Sequence, residues 1–323
     1  MHRRFAVLAI FFALAFTASA QTKYPPETKN AALRYWIAFA DLQDPPADKA
    51  LQSLLEKTAA GEAAWDESKL GPILDQNQAA ILAMQRATRL PDCDWGLEYS
   101  AGWRASIAYA PKARVLARLN ALYGIRMQAK GNMQAAVDAW LAGIRFSQHV
   151  AEDGPLIFAL IAKSTLMPNL GALTRAAQSG ALNAAQRKQV EAAISTLPES
   201  AFDWSQAMRL EEAGMDSAAA ELASSRDPAK LFEQMFGAAA PQDFHVPTAS
   251  DRDANHKLML AVEQAYRESP SQAKEKLSAL QAQAAAQHVF FQQATPSFTR
   301  PNDQRAEIAA ARSALLNAVA SRP

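Results

Sequence analysis

Cysteine is nearly absent from this chain, since Cys93 is the only one among 323 residues. A single thiol cannot form an internal disulfide, and it cannot build a zinc site that depends on several cysteines. The folded protein must therefore be held together by packing. We expect Cys93 to be a small buried side chain. The alternative is a reactive or intermolecular thiol, for example one that serves as a redox sensor.

The chain also lacks an excess of charge of either sign. Its 33 basic and 32 acidic residues give a formal net charge of +1. A nearly neutral protein has no electrostatic attraction for nucleic acid or for an anionic membrane surface. We therefore expect neither of them as a partner.

Several chemical motifs are missing as well. The chain has no glycine-rich phosphate loop, no His-Glu-x-x-His and no Gly-x-Ser-x-Gly. Asp253 with His256, and His149 with Glu152, have the i,i+3 spacing of neighbours on a helix. Di-iron bundles need two Glu-x-x-His pairs and two further glutamates, a set that this chain does not supply. We expect no metal centre and no cofactor.

The remaining charged residues indicate structure rather than chemistry. We expect His149 to be a hydrogen-bonded histidine near a helix C-terminus, where its positive charge suits the helix dipole. Glu211, Glu212 and Asp216 form an acidic patch in a predicted helix. A solvated face is the expected position for such a patch.

What the chain has in abundance is helical patterning. One apolar stripe, with i, i+3, i+4 and i+7 spacing, consists of Val137, Trp140, Leu141 and Ile144. Local start signals agree, because Asn183 with Gln186 and Asp203 with Gln206 have the spacing of capping boxes. Three further helix starts place a proline at the first helical position, at Gly154-Pro155, Asp227-Pro228 and Ser269-Pro270. The prediction is an all-α fold, a multi-helix bundle of antiparallel helical hairpins.

The helices are predicted near residues 28–42, 48–60, 72–89, 111–130, 132–152, 155–179, 183–197, 203–224, 228–236, 251–268, 271–288 and 303–320. Pro168 is expected to kink or split the segment 155–179. Two regions, 21–199 and 200–323, are the predicted division of the mature chain. One continuous domain is equally compatible with the pattern.

The first 20 residues have the layout of a secretory signal peptide. Arg3 and Arg4 precede an apolar run from Phe5 to Phe16, and Ala18-Ser19-Ala20 is a small-x-small cleavage site. Gln21 rather than cysteine follows the expected cut, so no lipid anchor is indicated. No later segment is expected to reach the length of a membrane span. The mature protein should therefore be periplasmic or secreted.

One stretch has small and aromatic residues placed as in a helix–turn–helix, namely Gly124, Gly131-Asn132, Ala136, Trp140 and Gly143. In these positions, residues 117–148 resemble one tetratricopeptide unit. The family's usual tryptophan and tyrosine are replaced by Asn120 and Met127, and no neighbouring unit repeats the pattern 34 residues away. The stretch is therefore either an ordinary helical hairpin or part of a degenerate repeat array.

A wider resemblance covers residues 28–215. Its motifs are Ala31-Ala32-x-x-Tyr35, Cys93-Asp94-Trp95-Gly96, Ala113-Arg114-x-Leu116-Ala117-Arg118, and Gly143 with His149. In these motifs the chain resembles a loose group of uncharacterised, exported, alanine-rich helical bacterial proteins. The resemblance implies an all-helical fold and carries no activity.

The best candidate site is the loop from Pro91 to Trp103. Three acids, Asp92, Asp94 and Glu98, alternate there with three aromatic residues, Trp95, Tyr99 and Trp103. Aromatic faces stack on sugars or apolar ligands, and paired carboxylates can hydrolyse a glycosidic bond. Asp94 and Glu98 are thus the candidate catalytic residues, and the three aromatic residues are the candidate binding residues. The alternative is that the aromatic rings fill the core and the acids face water.

The sequence favours binding over catalysis, because no coherent catalytic set accompanies the helices. The leading hypothesis is a non-enzymatic binding or scaffolding role at the cell envelope, with a protein or peptide as partner. The alternative is a carbohydrate- or cell-wall-acting enzyme that uses the acids of the 91–103 loop.

Overall fold

The structure is a computed structural model that describes residues 27–321. The signal peptide predicted for residues 1–20 lies outside them. The fold is 73% helical, with 14 α-helices and no strand among the described residues. The all-α prediction is thereby confirmed.

The helices are numbered in chain order. They are α1 (Ala31–Asp41), α2 (Lys49–Ala60), α3 (Glu67–Gln76), α4 (Gln78–Ala87), α5 (Tyr109–Ala129), α6 (Met133–Ala151), α7 (Leu156–Gln178), α8 (Ala184–Ser195), α9 (Trp204–Ser224), α10 (Pro228–Phe236), α11 (Ala249–Tyr266), α12 (Pro270–Ala284), α13 (Val289–Ala294) and α14 (Thr299–Ala320). A short 3₁₀ segment, Tyr99–Arg104, interrupts the link between α4 and α5.

Helices α5, α6 and α7 form the centre of the bundle, where each packs along the other two. The closest approach is in the hairpin of α5 and α6. A Cβ on Gly124 would clash with the indole of Trp140. The Trp140 Nε1–H donates to the carbonyl of Ala121 at 3.2 Å, and the Asn120 amide donates to the carbonyl of Ala139 at 2.8 Å. Asn120 therefore holds the hairpin by a buried hydrogen bond. The tetratricopeptide resemblance stays a prediction.

Most of the predicted helix starts are confirmed. Asn183 and Gln186 form a complete capping box, and Asp227 caps α10 with Pro228 in its first turn. The prediction for Gly154-Pro155 was wrong by one residue, because Pro155 is the N-cap and α7 begins at Leu156. Proline has no side-chain oxygen, so this helix needs an acceptor from elsewhere.

Helix α7 departs from two expectations. Pro168 lies inside one continuous helix and does not split it. The helix has 23 residues, and by length and composition it is the one helix of residues 27–321 that could span a membrane. The expectation that no later segment reaches that length was therefore wrong. Buried residues make up 56% of its most apolar window, because α5, α6 and α14 cover it.

The predicted helix 72–89 is two helices, α3 and α4, which meet at Asn77. The Asn77 amide donates to the carbonyl of Ile73 at 3.0 Å, and its oxygen accepts from the N–H of Gln43 at 2.8 Å. A contact with a distant segment thus sets this break, which local patterning does not reveal.

The predicted regions 21–199 and 200–323 share one hydrophobic core, which extends from Ala31 to Val319. Helix α14 packs along α7 and α8, and α9 also contacts α7. The space between α7, α9 and the 91–103 loop is where the candidate site lies.

Candidate functional site

The start of the 91–103 loop is attached to the N-terminus of α1. The N–H of Ala31 donates to the carbonyl of Asp92 at 2.7 Å, and the Asn30 amide donates to the carbonyl of Asp94 at 2.8 Å. The Asp94 carboxylate accepts from the N–H of Gly96 at 2.8 Å, which closes a tight turn. Both acids are exposed, and their contacts shape the loop.

Trp95 points inward from this turn and is 6% exposed. Its ring stacks on Tyr109 with a centroid distance of 4.0 Å and an interplanar angle of 5°. Its Nε1–H donates to the carbonyl of His149 at 2.6 Å. Of the three aromatic residues predicted as binding residues, this one therefore lies in the core.

His149 is buried beside Trp95, and its Nδ1 is 2.6 Å from the hydroxyl of Tyr35. The prediction that His149 forms a hydrogen bond is confirmed. The prediction that it carries a positive charge is wrong. Burial lowers the pKa of His149 to about 3, so the ring is neutral near pH 7 and does not interact with the dipole as a cation. Cys93 is also buried here, and burial raises the pKa of its thiol. Such a thiol lacks the exposure and thiolate character of a redox sensor.

Tyr99 and Trp103 face the opposite way, toward α9. The Trp103 Nε1–H donates to Glu221 at 2.8 Å, and the Arg104 guanidinium lies 4.4 Å from the centroid of the Trp103 ring. Gly102 has a φ of +57°, and a Cβ there would clash with Ser217 of α9. Only glycine allows the loop to lie this close to α9.

An apolar cavity of about 710 Å³ opens beneath these two rings. Its walls come from residues 97–107, the start of α7, the middle of α9, the end of α10 and α13. Eight large hydrophobic side chains are exposed in the described part of the chain. Four of them line this cavity, namely Tyr99 (48%), Trp103 (37%), Ile107 (40%) and Ile157 (42%). Half of these exposed side chains therefore lie at one concave place, while three of the others, Leu33, Trp36 and Ile37, lie on α1.

Among the residues that line the cavity, Glu211 is the only aspartate, glutamate, lysine, arginine or histidine. Its carboxylate accepts from the N–H of Leu156 at 2.8 Å and also from that of Ile157. These are free N–H groups of the first turn of α7, so Glu211 supplies the cap that Pro155 cannot. Burial raises the pKa of Glu211. The expectation of a fully solvated acidic face was therefore wrong for Glu211.

The other acids of that patch pair at the surface. Glu212 contacts His256, and Asp216 binds Arg252 at 2.7 Å. Asp253, the partner proposed for His256 from i,i+3 spacing, instead binds Lys257 at 2.7 Å. The Glu212 side chain is only 14% exposed, so of the three acids in the patch Asp216 alone has the solvated position that was expected.

A smaller cavity of about 230 Å³ lies on the other side of Tyr99. It is lined by Asp94 together with Glu152 and Asp153, and burial raises the pKa of Glu152. Glu98 is exposed and is not among the lining residues of either cavity. The structure thus places Asp94 beside acids from the end of α6 rather than beside Glu98.

Tyr99 and Trp103 are predictable from the sequence, but the rest of the large cavity is not. Ile157, Phe236 and Phe290 come from three distant segments, and no spacing in the chain relates them. Comparisons with protein-family models, curated proteins and solved structures find no match for this chain.

Proposed function

We propose that this is a non-catalytic binding protein that is exported and holds an apolar or amphiphilic small molecule in the cavity beneath Tyr99 and Trp103. The observation that carries the proposal is that four large exposed apolar side chains surround one concave site. Exposing such surface to water is unfavourable, by about 25 cal/mol for each Å². A contiguous exposed apolar patch usually marks a surface that binds something.

The size and lining of the cavity support a small-molecule ligand. Its volume of about 710 Å³ is within the range of about 300–1,000 Å³ that is typical of small-molecule sites. Such sites are mostly apolar, with a few polar groups that orient the ligand. Here the Glu211 carboxylate is such a polar group. It accepts two hydrogen bonds from α7, and its remaining lone pairs are available to a ligand.

Glu211 also favours one charge class of ligand. The N–H groups of Leu156 and Ile157 oppose the effect of burial on the pKa of Glu211 and favour its ionised form. In that form the carboxylate accepts hydrogen bonds and repels anions. An amphiphile that ends in a hydroxyl or an amine therefore suits this cavity better than a fatty acid. We propose an uncharged or cationic amphiphile as the ligand class.

A neutral fluorescent probe, N-phenyl-1-naphthylamine, tests the cavity directly. Gly214 of α9 lines the cavity, and a Cβ there would meet no atom within 4 Å. Gly214→Leu should fill the cavity without a clash and should also favour the helix. The matched control is Ala220→Leu, at an exposed position of the same helix that does not line the cavity.

The wild type and Ala220→Leu should enhance the probe's fluorescence with the same affinity, and Gly214→Leu should abolish that enhancement. Displacement by dodecanol or dodecylamine should be stronger than displacement by dodecanoate. Equal binding by the Gly214→Leu variant would contradict the proposal. A partner protein that inserts an apolar side chain here would instead be recovered from envelope extracts by the wild type and lost with Gly214→Leu.

Export has its own test, because it depends on residues outside the described part of the chain. N-terminal sequencing of the protein from the medium or the periplasm should begin at Gln21. Recovery of the whole protein from the cytoplasm, with Met1 retained, would contradict export.

One observation supports the carbohydrate-acting enzyme as a second candidate. Asp94 shares the smaller cavity with Glu152, and burial raises the pKa of Glu152. A glycosidase needs one carboxyl group that stays protonated as the acid and a second that is ionised. Release of reducing sugar from cell-wall glycan, abolished by Glu152→Gln and by Asp94→Asn, would support this function. No release by the wild type would eliminate it.

A further inference from the structure

Two histidines and an aspartate from three separate segments meet at the N-terminal end of α11. His245 lies in the link between α10 and α11, Asp251 lies in the first turn of α11, and His288 is the N-cap of α13. One potential ligand atom from each residue lies within 4.8 Å of the others. The rings of His245 and His288 meet edge to face, with a centroid distance of 4.5 Å.

The orientation of His245 leaves one ring nitrogen available. Its Nδ1 lies 3.3 Å from the carbonyl oxygen of Asp243. A carbonyl only accepts hydrogen bonds, so Nδ1 carries the proton and Nε2 keeps its lone pair. Metal-binding histidines commonly have this arrangement, in which a backbone carbonyl fixes the tautomer.

One carboxylate oxygen of Asp251 is also available to a ligand. Its Oδ2 accepts both hydrogen bonds from Thr248, from the N–H at 2.8 Å and from the hydroxyl at 2.6 Å. The capping box therefore uses one oxygen, and Oδ1 has no hydrogen-bond partner among residues 27–321. The cap fixes the carboxylate plane while leaving this oxygen free.

The third potential ligand is the ring nitrogen Nε2 of His288. This Nε2 is buried and has no hydrogen bond of normal geometry among the residues that the structure describes, although the ring faces the backbone of His245. Buried polar atoms are nearly always paired with protein, water or an ion. This nitrogen lies beside a second imidazole and a fixed carboxylate, and the grouping of these three ligand types points to a bound cation.

We propose that His245, Asp251 and His288 bind a divalent transition metal ion, with Zn²⁺ as the best fit. Imidazole and carboxylate are ligands that Zn²⁺ takes, and three protein ligands leave one position for water. Ligand atoms about 2.1 Å from zinc in a tetrahedron lie roughly 3.4 Å apart. The cluster therefore needs to contract by at most about 1.4 Å around the ion.

Metal binding also changes the tautomer of His288. Its Nδ1 accepts from the N–H of Phe290 at 3.2 Å, so the neutral ring carries its proton on Nε2. Metal binding at Nε2 moves that proton to Nδ1 and removes the acceptor of Phe290. Binding breaks one long hydrogen bond and forms three metal–ligand bonds, so the balance favours binding. Phe290 also lines the apolar cavity, so metal binding changes the first turn of a helix in the cavity wall.

The test uses the whole protein without a histidine tag, titrated with ZnCl₂ and separately with CoCl₂. We expect about one ion per chain and, with Co²⁺, the intense visible absorption of a four-coordinate site. His245→Ala, at an exposed position, should lower the affinity at least a hundredfold, and His288→Ala should do the same. His256→Ala is the matched control, because His256 is an exposed histidine that pairs with Glu212 elsewhere.

The variants decide between a built site and surface binding. Loss of binding in His245→Ala but not in His256→Ala supports the proposal. Equal affinity in all three variants, or no binding by the wild type, overturns it. Because His245 is exposed, its replacement should leave folding intact, as circular dichroism and the thermal midpoint without metal will show.

Discussion

The 91–103 loop connects two side-chain clusters that have opposite surroundings. The core cluster (Tyr35, Trp95, Tyr109 and His149) is almost completely buried. Trp95 stacks on Tyr35 and on Tyr109, and the His149 ring is tilted against Tyr35. The mouth cluster (Tyr99, Trp103, Ile107 and Ile157) is exposed and surrounds an empty volume. Phe158 separates them, since it stacks on Tyr109 with a centroid distance of 5.0 Å and also lines the cavity.

The two clusters show that the surroundings of an aromatic residue, and not its type, decide its role. Trp95 and Trp103 both donate their indole N–H to an oxygen of the protein. The Trp95 ring also has aromatic neighbours on its faces, whereas Trp103 has Arg104 over its ring and remains exposed. We conclude that the core cluster holds the fold and that the mouth cluster is available to a ligand.

Removing Trp95 should have the largest effect. Trp95→Ala takes a large ring out of the stack and leaves a cavity, which costs about 3–5 kcal/mol of the free energy of unfolding. Urea denaturation followed by circular dichroism measures this loss. Trp103→Ala is the control and should change the same quantity by less than about 1 kcal/mol. Equal losses in the two variants would contradict the distinction between the clusters.

The pH dependence of stability should come next in size. Burial lowers the pKa of His149 to about 3 in the folded protein, while an unfolded histidine titrates near 6.5. Between those values the unfolded chain binds a proton that the folded chain does not. Stability from this residue is therefore complete above about pH 6.5 and falls by about 3 kcal/mol on going to about pH 4.

A non-titrating variant isolates that effect from the acids of the protein. His149→Asn keeps a polar atom near Tyr35 but removes the titration. Thermal midpoints between pH 7 and pH 4 should fall more steeply for the wild type than for His149→Asn. Parallel curves would mean that His149 is protonated in the fold.

Trp103→Ala should weaken ligand binding by about tenfold, equivalent to about 1.4 kcal/mol. The reason is that one wall of the cavity loses its ring while the fold keeps its core. Titration with the fluorescent probe measures the affinity. Phe39→Ala is a suitable contrast, because it damages the buried stack around Trp95 and should reduce stability more than affinity.

Glu211→Gln should have the smallest effect, a change of a few fold in ligand preference. The amide oxygen still accepts from Leu156, so the cap of α7 is retained. Without the carboxylate, the preference for dodecylamine over dodecanoate should shrink. If the ratio of the two affinities stays the same, Glu211 does not contribute to selection.

The parts of the fold that depend on neighbours in sequence were predictable. Asn183 caps α8 and Asp227 caps α10 because their partners lie three residues away. The break at Asn77 was not predictable, because it depends on the backbone of Gln43, 34 residues earlier. Spacing within a helix shows which residues share a face but does not show what covers that face.

The candidate site shows the same limit. Tyr99 and Trp103 could be found because they are concentrated with acids in one loop. Trp95 belongs to the same loop, and only the fold distinguishes its buried ring from the two exposed ones. No motif spacing relates the three residues His245, Asp251 and His288. The two histidines are separated along the chain by two long helices, α11 and α12.

The hydrogen bonds from Leu156 and Ile157 to Glu211 have a consequence for the order of folding. Helix α7 is the longest helix of the described chain and lies at the centre of the bundle, yet the acceptor for its first turn is 55 residues further along. During synthesis this helix is made before α9 and stays uncapped until α9 arrives. A chain stopped at residue 199 would leave those N–H groups bare, so we expect the two halves to fold as one cooperative unit.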